Sequence, residues 1–96
     1  MAVVRYAPRA LLHLERLADF LLESDPVSAA RTVELIIEAI EILRHHPQIG
    51  RPGDDDFREL IISRGRTGYV ALYVYDEARD VVLIAAIRHQ REAGFS

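Results

Sequence analysis

The chain has 96 residues, 50% of them hydrophobic, no cysteine and a formal net charge of −3. That length makes a single domain, 1–96, whose core needs no disulfide or metal staple, and the missing cysteine excludes thiol nucleophiles, thiolate metal sites and disulfide chemistry. The acidic balance argues against a general nucleic-acid binder, which needs a basic excess to displace counterions.

Residues 1–56 carry six arginines against ten acidic residues, whereas residues 57–96 carry six against five, so the C-terminal part is the less acidic. Every basic residue is arginine, a side chain suited to desolvated protein interfaces and to bidentate contacts with carboxylate or phosphate. No apolar run approaches the roughly 20 residues a membrane span requires. A cytoplasmic protein without membrane contact is the expectation.

In chain order, Val3–Tyr6 is a short β-prone run, and Pro8 opens a helix at its first turn, where a missing N–H costs nothing. From Arg9 to Glu23, Leu11, Leu14, Leu17, Ala18 and Leu21 recur at spacings of three and four, the period of a helix with one buried side. Ser24-Asp25-Pro26 restarts the pattern, with Asp25 as N-cap. Ala29, Val33, Ile36, Ile37, Ile40 and Leu43 then form a second stripe, which runs to Arg44 and ends before Pro47. Two helices joined so briefly form an antiparallel hairpin.

Residues 47–56, Pro-Gln-Ile-Gly-Arg-Pro-Gly-Asp-Asp-Asp, read as a loop with an acidic tip. Three successive aspartates converge poorly on one ion, so no metal is assigned. His13, His45, His46 and His89 lack ligand spacing as well.

Phe57–Ser63, Tyr69–Tyr75 and Val81–Arg88 are each rich in β-branched and aromatic residues and are separated by short polar connections, the pattern of a three-stranded antiparallel meander. Alternation places Tyr69, Ala71, Tyr73 and Tyr75 on one face of the middle strand. It groups Arg58 with Leu60 and Ile62, and Arg88 with Val82, Ile84 and Ala86, so that an arginine closes an apolar row on both flanking strands. The fold class is α+β: a strand, an antiparallel helical hairpin, then the meander, with the helices packed on one face of the sheet. The position of the first strand in that sheet is open. No nucleophile elbow, phosphate-binding loop or dinucleotide fingerprint is present, and no cofactor is assigned.

Four stretches in this order resemble the RelE/ParE superfamily of toxins from bacterial type II toxin–antitoxin systems. They are His46-Pro47-Gln48-Ile49-Gly50-Arg51-Pro52; Arg58-Glu59-Leu60; Gly68-Tyr69 with Tyr73; and Ile87-Arg88-His89-Gln90-Arg91. The resemblance covers Val4 to Phe95. It implies a compact toxin held by a cognate antitoxin, whose disordered segment folds over the toxin surface, in a higher-order complex. The antitoxin, rather than the toxin, would read DNA.

Two mechanisms occur in that superfamily. RelE-like members cut mRNA in the ribosome; ParE-like members poison DNA gyrase by binding it. Cleavage through the RNA 2′-hydroxyl needs a base, an acid and cations around the phosphate. Here Val70 stands where the nuclease branch has an arginine after Gly-Tyr, and Phe95 is the aromatic near the end. If the chain is a nuclease, Arg58, His89 and Arg91 are the candidates for phosphate clamp, base and second clamp. The ParE-like branch is favoured, with no catalytic residue and with Arg51, Arg58, Tyr73, Arg88, His89 and Arg91 as the contacts to target or antitoxin. Gyrase is then the target and the ribosome the alternative; a relic that only binds antitoxin is a third reading. Structural uses stand beside these roles: Arg58 capping the sheet edge, Tyr73 packing with a wet hydroxyl, Arg51 bracing the loop against the acidic tip.

Overall fold

The computed structural model describes residues 1–64 and 67–90. Its elements are β1 (Val3–Tyr6), α1 (Pro8–Ser24), α2 (Pro26–Glu41), a 3-10 turn (Ile42–Arg44), β2 (Arg51–Pro52), β3 (Phe57–Arg64), β4 (Thr67–Asp76) and β5 (Val81–His89). A proline at the first helical turn opens each helix. Asp25 serves both: its N–H closes α1 on Leu21 O at 2.9 Å, while its carboxylate accepts from the N–H groups of Val27 and Ser28 at 3.1 and 3.3 Å. An N-cap of this kind contributes about 0.5–2 kcal/mol. The second apolar stripe does not stay α-helical to Arg44, because the last turn tightens to 3-10 geometry and thereby drives Leu43 into the core.

The sheet has five strands in the order β1-β5-β4-β3-β2. The expected meander forms its antiparallel centre. β1 lies parallel to β5, Val4 opposite Val82 and Tyr6 opposite Ile84, an arrangement reached through the long crossover that parallel neighbours require. Residues 47–56 are not loop throughout: Arg51 pairs with Glu59 and Pro52 with Arg58. A proline that cannot donate to a ladder is tolerated there because β2 is the edge. Gly53 N–H then donates to Phe57 O at 2.8 Å and Phe57 N–H to Asp54 O at 3.0 Å. Asp55 and Asp56 complete that turn in the left-handed region, with φ of 52° and 66°, which short polar side chains tolerate better than most.

Both helices cover one face. Ala10, Leu14, Ile36, Ile40 and Leu43 pack with Ile62, Tyr69, Ala71, Tyr73, Val82, Ile84 and Ile87 into a single core. Each fully buried Ile or Leu contributes about 1.5–3 kcal/mol.

One departure from strict alternation matters for the site. Leu72 lies opposite Ala86 and Tyr73 opposite Ile84, so Ala85 has no partner on β4 and bulges out of the ladder. A bulge shifts the side-chain sequence by one. Ile87, opposite Ala71, therefore joins the core, and Arg88, opposite Val70, falls on the face away from the helices. Its expected grouping with Val82 and Ile84 is thus corrected. Beyond Ile84 the outer edge of β5 has no strand, because the chain has turned at Ala7 into α1. His13 covers the gap, its Nδ1 accepting from Ile87 N–H at 3.1 Å.

Candidate functional site

The side chains singled out in the sequence fall into two groups. The first surrounds the loop between the 3-10 turn and β2. Tyr73 is completely buried at the centre of β4, and its hydroxyl accepts from Gly50 N–H at 2.9 Å. Arg58, directly across the ladder from Tyr73, sends Nη1 to two carbonyls of the same loop, Gln48 O at 3.1 Å and Gly50 O at 2.8 Å. Gln48 Nε2 donates in turn to Glu77 Oε1 at 3.1 Å. Burial pushes the Tyr73 hydroxyl above the ordinary tyrosine value, against the opposing effects of the Gly50 N–H and the Arg58 charge. Gly50 is needed for this approach: a Cβ there would sit 2.6 Å from Tyr73 Oη.

This geometry changes the meaning of two candidates. Tyr73, expected on a binding surface, has no surface; its tip is dry and bonded to the loop. Arg58 is a loop clamp, and its remaining nitrogens, Nε and Nη2, have no hydrogen-bond partner among the described residues. Arg51 does not brace the acidic tip. It pairs across the edge with Glu59, Nε to Oε1 at 3.0 Å, with its own side chain 63% exposed. Such a pair is worth at most about 1 kcal/mol, so Arg51 is held in position without being consumed.

The second group lies at the far end of the sheet. His89 sits opposite Tyr69, the rings meeting edge to face at 5.4 Å and 84°, an attractive quadrupolar arrangement. Arg88 directs Nη1 to His89 O and Gln90 O, both at 3.2 Å. Successive residues of a strand point to opposite faces, so His89 lies on the helix side and Arg88 on the other. Arg58 shares the face of His89. The offset from Tyr73 to Tyr69 and two strand spacings put those residues roughly 16 Å apart. The structure does not bring the proposed clamp and base together. Arg91 and Phe95 lie outside the described residues. Val70 is buried and directly opposite Arg88.

Sequence reasoning missed the loop's own contributions. Gln48 and Glu77 are 29 residues apart, and no sequence signal pairs them. Ile49, 55% exposed beside buried Gly50, was inside the quoted motif but carried no role. Among the described residues no group of three or more His, Asp or Glu side chains is gathered for a metal ion, and no helix is long and apolar enough to cross a membrane.

Residues 4–94 match the family model described as ParE toxin of type II toxin-antitoxin system, parDE. The chain belongs to the ParE toxin family. Among relatives of this ParE-family toxin is Toxin RelE3 of Caulobacter vibrioides, 41% identical over 93 residues that span 96% of this chain and 98% of the relative. Two solved structures share the fold. A chain of the chromosomal ParDE TA system from P. aeruginosa superposes with a TM-score of 0.77 at 20% identity, covering 93% of this chain and 96% of that one. A chain of the intact E. coli RelBE toxin-antitoxin complex gives 0.66 at 17% identity, covering 97% and 100%. The fold of this ParE-family toxin is thus shared with chains of a ParDE system and of a RelBE complex.

Proposed function

We propose that this toxin arrests growth in the cytoplasm by binding DNA gyrase directly, without being an enzyme, and that a cognate antitoxin neutralises it. The observation that supports this reading is the separation of two of the nuclease candidates, Arg58 and His89. Arg58 clamps two loop carbonyls through Nη1, and His89 meets the edge of the Tyr69 ring at a place on the sheet roughly 16 Å from Arg58. Phosphate cleavage needs base, acid and cations within hydrogen-bond reach of one reacting centre. A protein poison needs only a shaped surface with a few anchors.

The antitoxin is the partner best supported by physics. Leu11, Phe20, Leu22 and Val27 are exposed apolar residues of the helical hairpin, and Arg9 and Arg16 are exposed on α1 along the flank that carries Phe20. An amphipathic acidic segment that folds on binding would cover both. The solved relatives, from a ParDE system and a RelBE complex, support a complex of toxin with antitoxin, of higher order where the antitoxin dimerises. Co-purification with the product of the adjacent reading frame tests this; a partnerless monomer from the native operon contradicts it.

Two observations favour a second reading, the ribosome-dependent mRNA endoribonuclease. Arg88 lies opposite Val70 and returns a cation to that level of the sheet, and the 41% identical relative carries a RelE name. A supercoiling assay with purified gyrase decides between them. Loss of supercoiling as toxin is titrated in is the expected result. Unchanged supercoiling at saturating toxin, with new cuts in ribosome-bound mRNA, moves the chain to the nuclease branch. Normal growth on expression without antitoxin makes it an inactive relic.

A further inference from the structure

The loop from Gln48 to Pro52 is fixed far more firmly than a connection requires. A buried tyrosine and Nη1 of Arg58 hold its backbone, the Gln48 side chain is bonded to Glu77, and a glycine is kept where any side chain would collide with Tyr73. Yet the side chains it displays, Ile49 and Arg51, project into solvent. Ordering a loop before binding removes that entropy from the cost of association. Beside it lies a cleft of about 470 Å³, walled by Pro52, Phe57, Val74 and Tyr75 and lined by Arg58, with Gln48, Asp56 and Glu77 also contributing.

We propose that this loop and cleft form a preformed contact site for the toxin's protein target, receiving a single carboxylate side chain carried next to an apolar one. The inference rests on the toxin reading above. The guanidinium of Arg58, tethered through Nη1, has Nε and Nη2 left to form a charge-assisted pair with a carboxylate. The ring and aliphatic walls take the apolar neighbour, and Ile49 and Arg51 extend the contact along the rim.

Asp56 and Glu77 restrict what can enter. They outnumber Arg58 in the lining, so only a carboxylate that pairs directly with the guanidinium offsets their repulsion, and a phosphate backbone or a run of acidic residues is disfavoured. Position separates the two surfaces further. Phe20 and Val27 flank the turn between α1 and α2, and the 16 residues of α2, about 24 Å of helix, run from that turn toward the loop. The turn end of the hairpin, with Phe20 and Val27, and the cleft are therefore distinct regions.

The test uses Ile49→Asp at the rim and Val74→Glu in the cleft wall, expressed with and without antitoxin. Both variants are expected to arrest growth at least about tenfold more weakly, the loss of one anchor, while co-purifying with antitoxin as wild type does. Undiminished arrest, or arrest and antitoxin binding lost together, overturns the proposal. If wild type itself fails to arrest growth, the toxin reading falls, and titration of the 15N-labelled chain with N-acetyl-Leu-Glu-amide decides the cleft separately. Shifts at Gly50, Phe57, Arg58 and Val74 that N-acetyl-Leu-Gln-amide does not reproduce, with Kd on the order of 1 mM, support it; equal or absent responses to the two dipeptides overturn it.

Discussion

Replacing Tyr73 by Phe isolates the bond on which the loop depends. The ring remains, so the core keeps its volume, and only the hydroxyl that accepts from Gly50 N–H at 2.9 Å is removed. Gly50 is buried, and the stranded N–H costs about 1–3 kcal/mol. With a urea m-value of about 1.5 kcal/mol per M for a domain of this size, the unfolding midpoint falls by about 1 M with unchanged m. Arg58→Met removes the other tether, the Nη1 bonds to Gln48 O and Gly50 O. Because both side chains hold one backbone segment, a double-mutant cycle yields a coupling of about 0.5–3 kcal/mol rather than simple addition. A midpoint for Tyr73→Phe within about 0.2 M of wild type, or strict additivity, refutes the claim that a core tyrosine anchors the loop.

Three further outcomes are expected. Gly50→Ala forces a methyl group to 2.6 Å from Tyr73 Oη and destabilises by about 1–3 kcal/mol, read as a lowered urea midpoint. His13→Leu keeps bulk but leaves Ile87 N–H without its 3.1 Å acceptor; about 1–3 kcal/mol is lost, and amide exchange at Ile87 accelerates, whereas unchanged exchange would deny the bond its role. The hydroxyls of Tyr6 and Tyr73, through burial, and of Tyr75, chiefly through its bond to Asp80, are raised above the ordinary 10.0. The unfolded chain therefore ionises first: this stabilisation is complete below pH 10 and is lost as pH rises from there through the raised folded values. Denaturation midpoints measured across that range should fall, and tyrosinate absorbance in the native state should lag behind that of the unfolded chain.

Much of the fold was legible because its signals are local. The periodic stripes of α1 and α2, the cap at Asp25 and the alternation along β3 and β4 each follow from residues within a few positions of one another. What escaped depends on partners far along the chain. β2 is two residues long and is a strand only because β3 lies beside it. The bulge at Ala85 sits within Leu83-Ile84-Ala85-Ala86-Ile87, where nothing in the residue types marks an interruption, so simple alternation puts Arg88 on the wrong face. A tyrosine on a strand has an apolar ring and a polar tip, which by itself suits a surface as well as a core. Only the arrival of the loop, 23 residues earlier in sequence, makes it a core residue. The candidate site was accordingly legible as a set of segments, but the division of Arg58, Arg88 and His89 among different places was not.

The parallel seam between β1 and β5 constrains how the molecule is born. Val3 meets Val81, and Val3 N–H bonds to Asp80 O at 3.0 Å, so the first strand waits for almost the entire polypeptide before it has a neighbour. Contacts of such separation are slow to form because the intervening chain must first be brought to order. A chain ending before Val81 contains the residues of both helices and of β3 and β4 but lacks the strand that lies between β1 and β4. The sheet of this toxin is therefore completed only once β5 is available to both β1 and β4, so its stability rests on a contact between segments almost eighty residues apart.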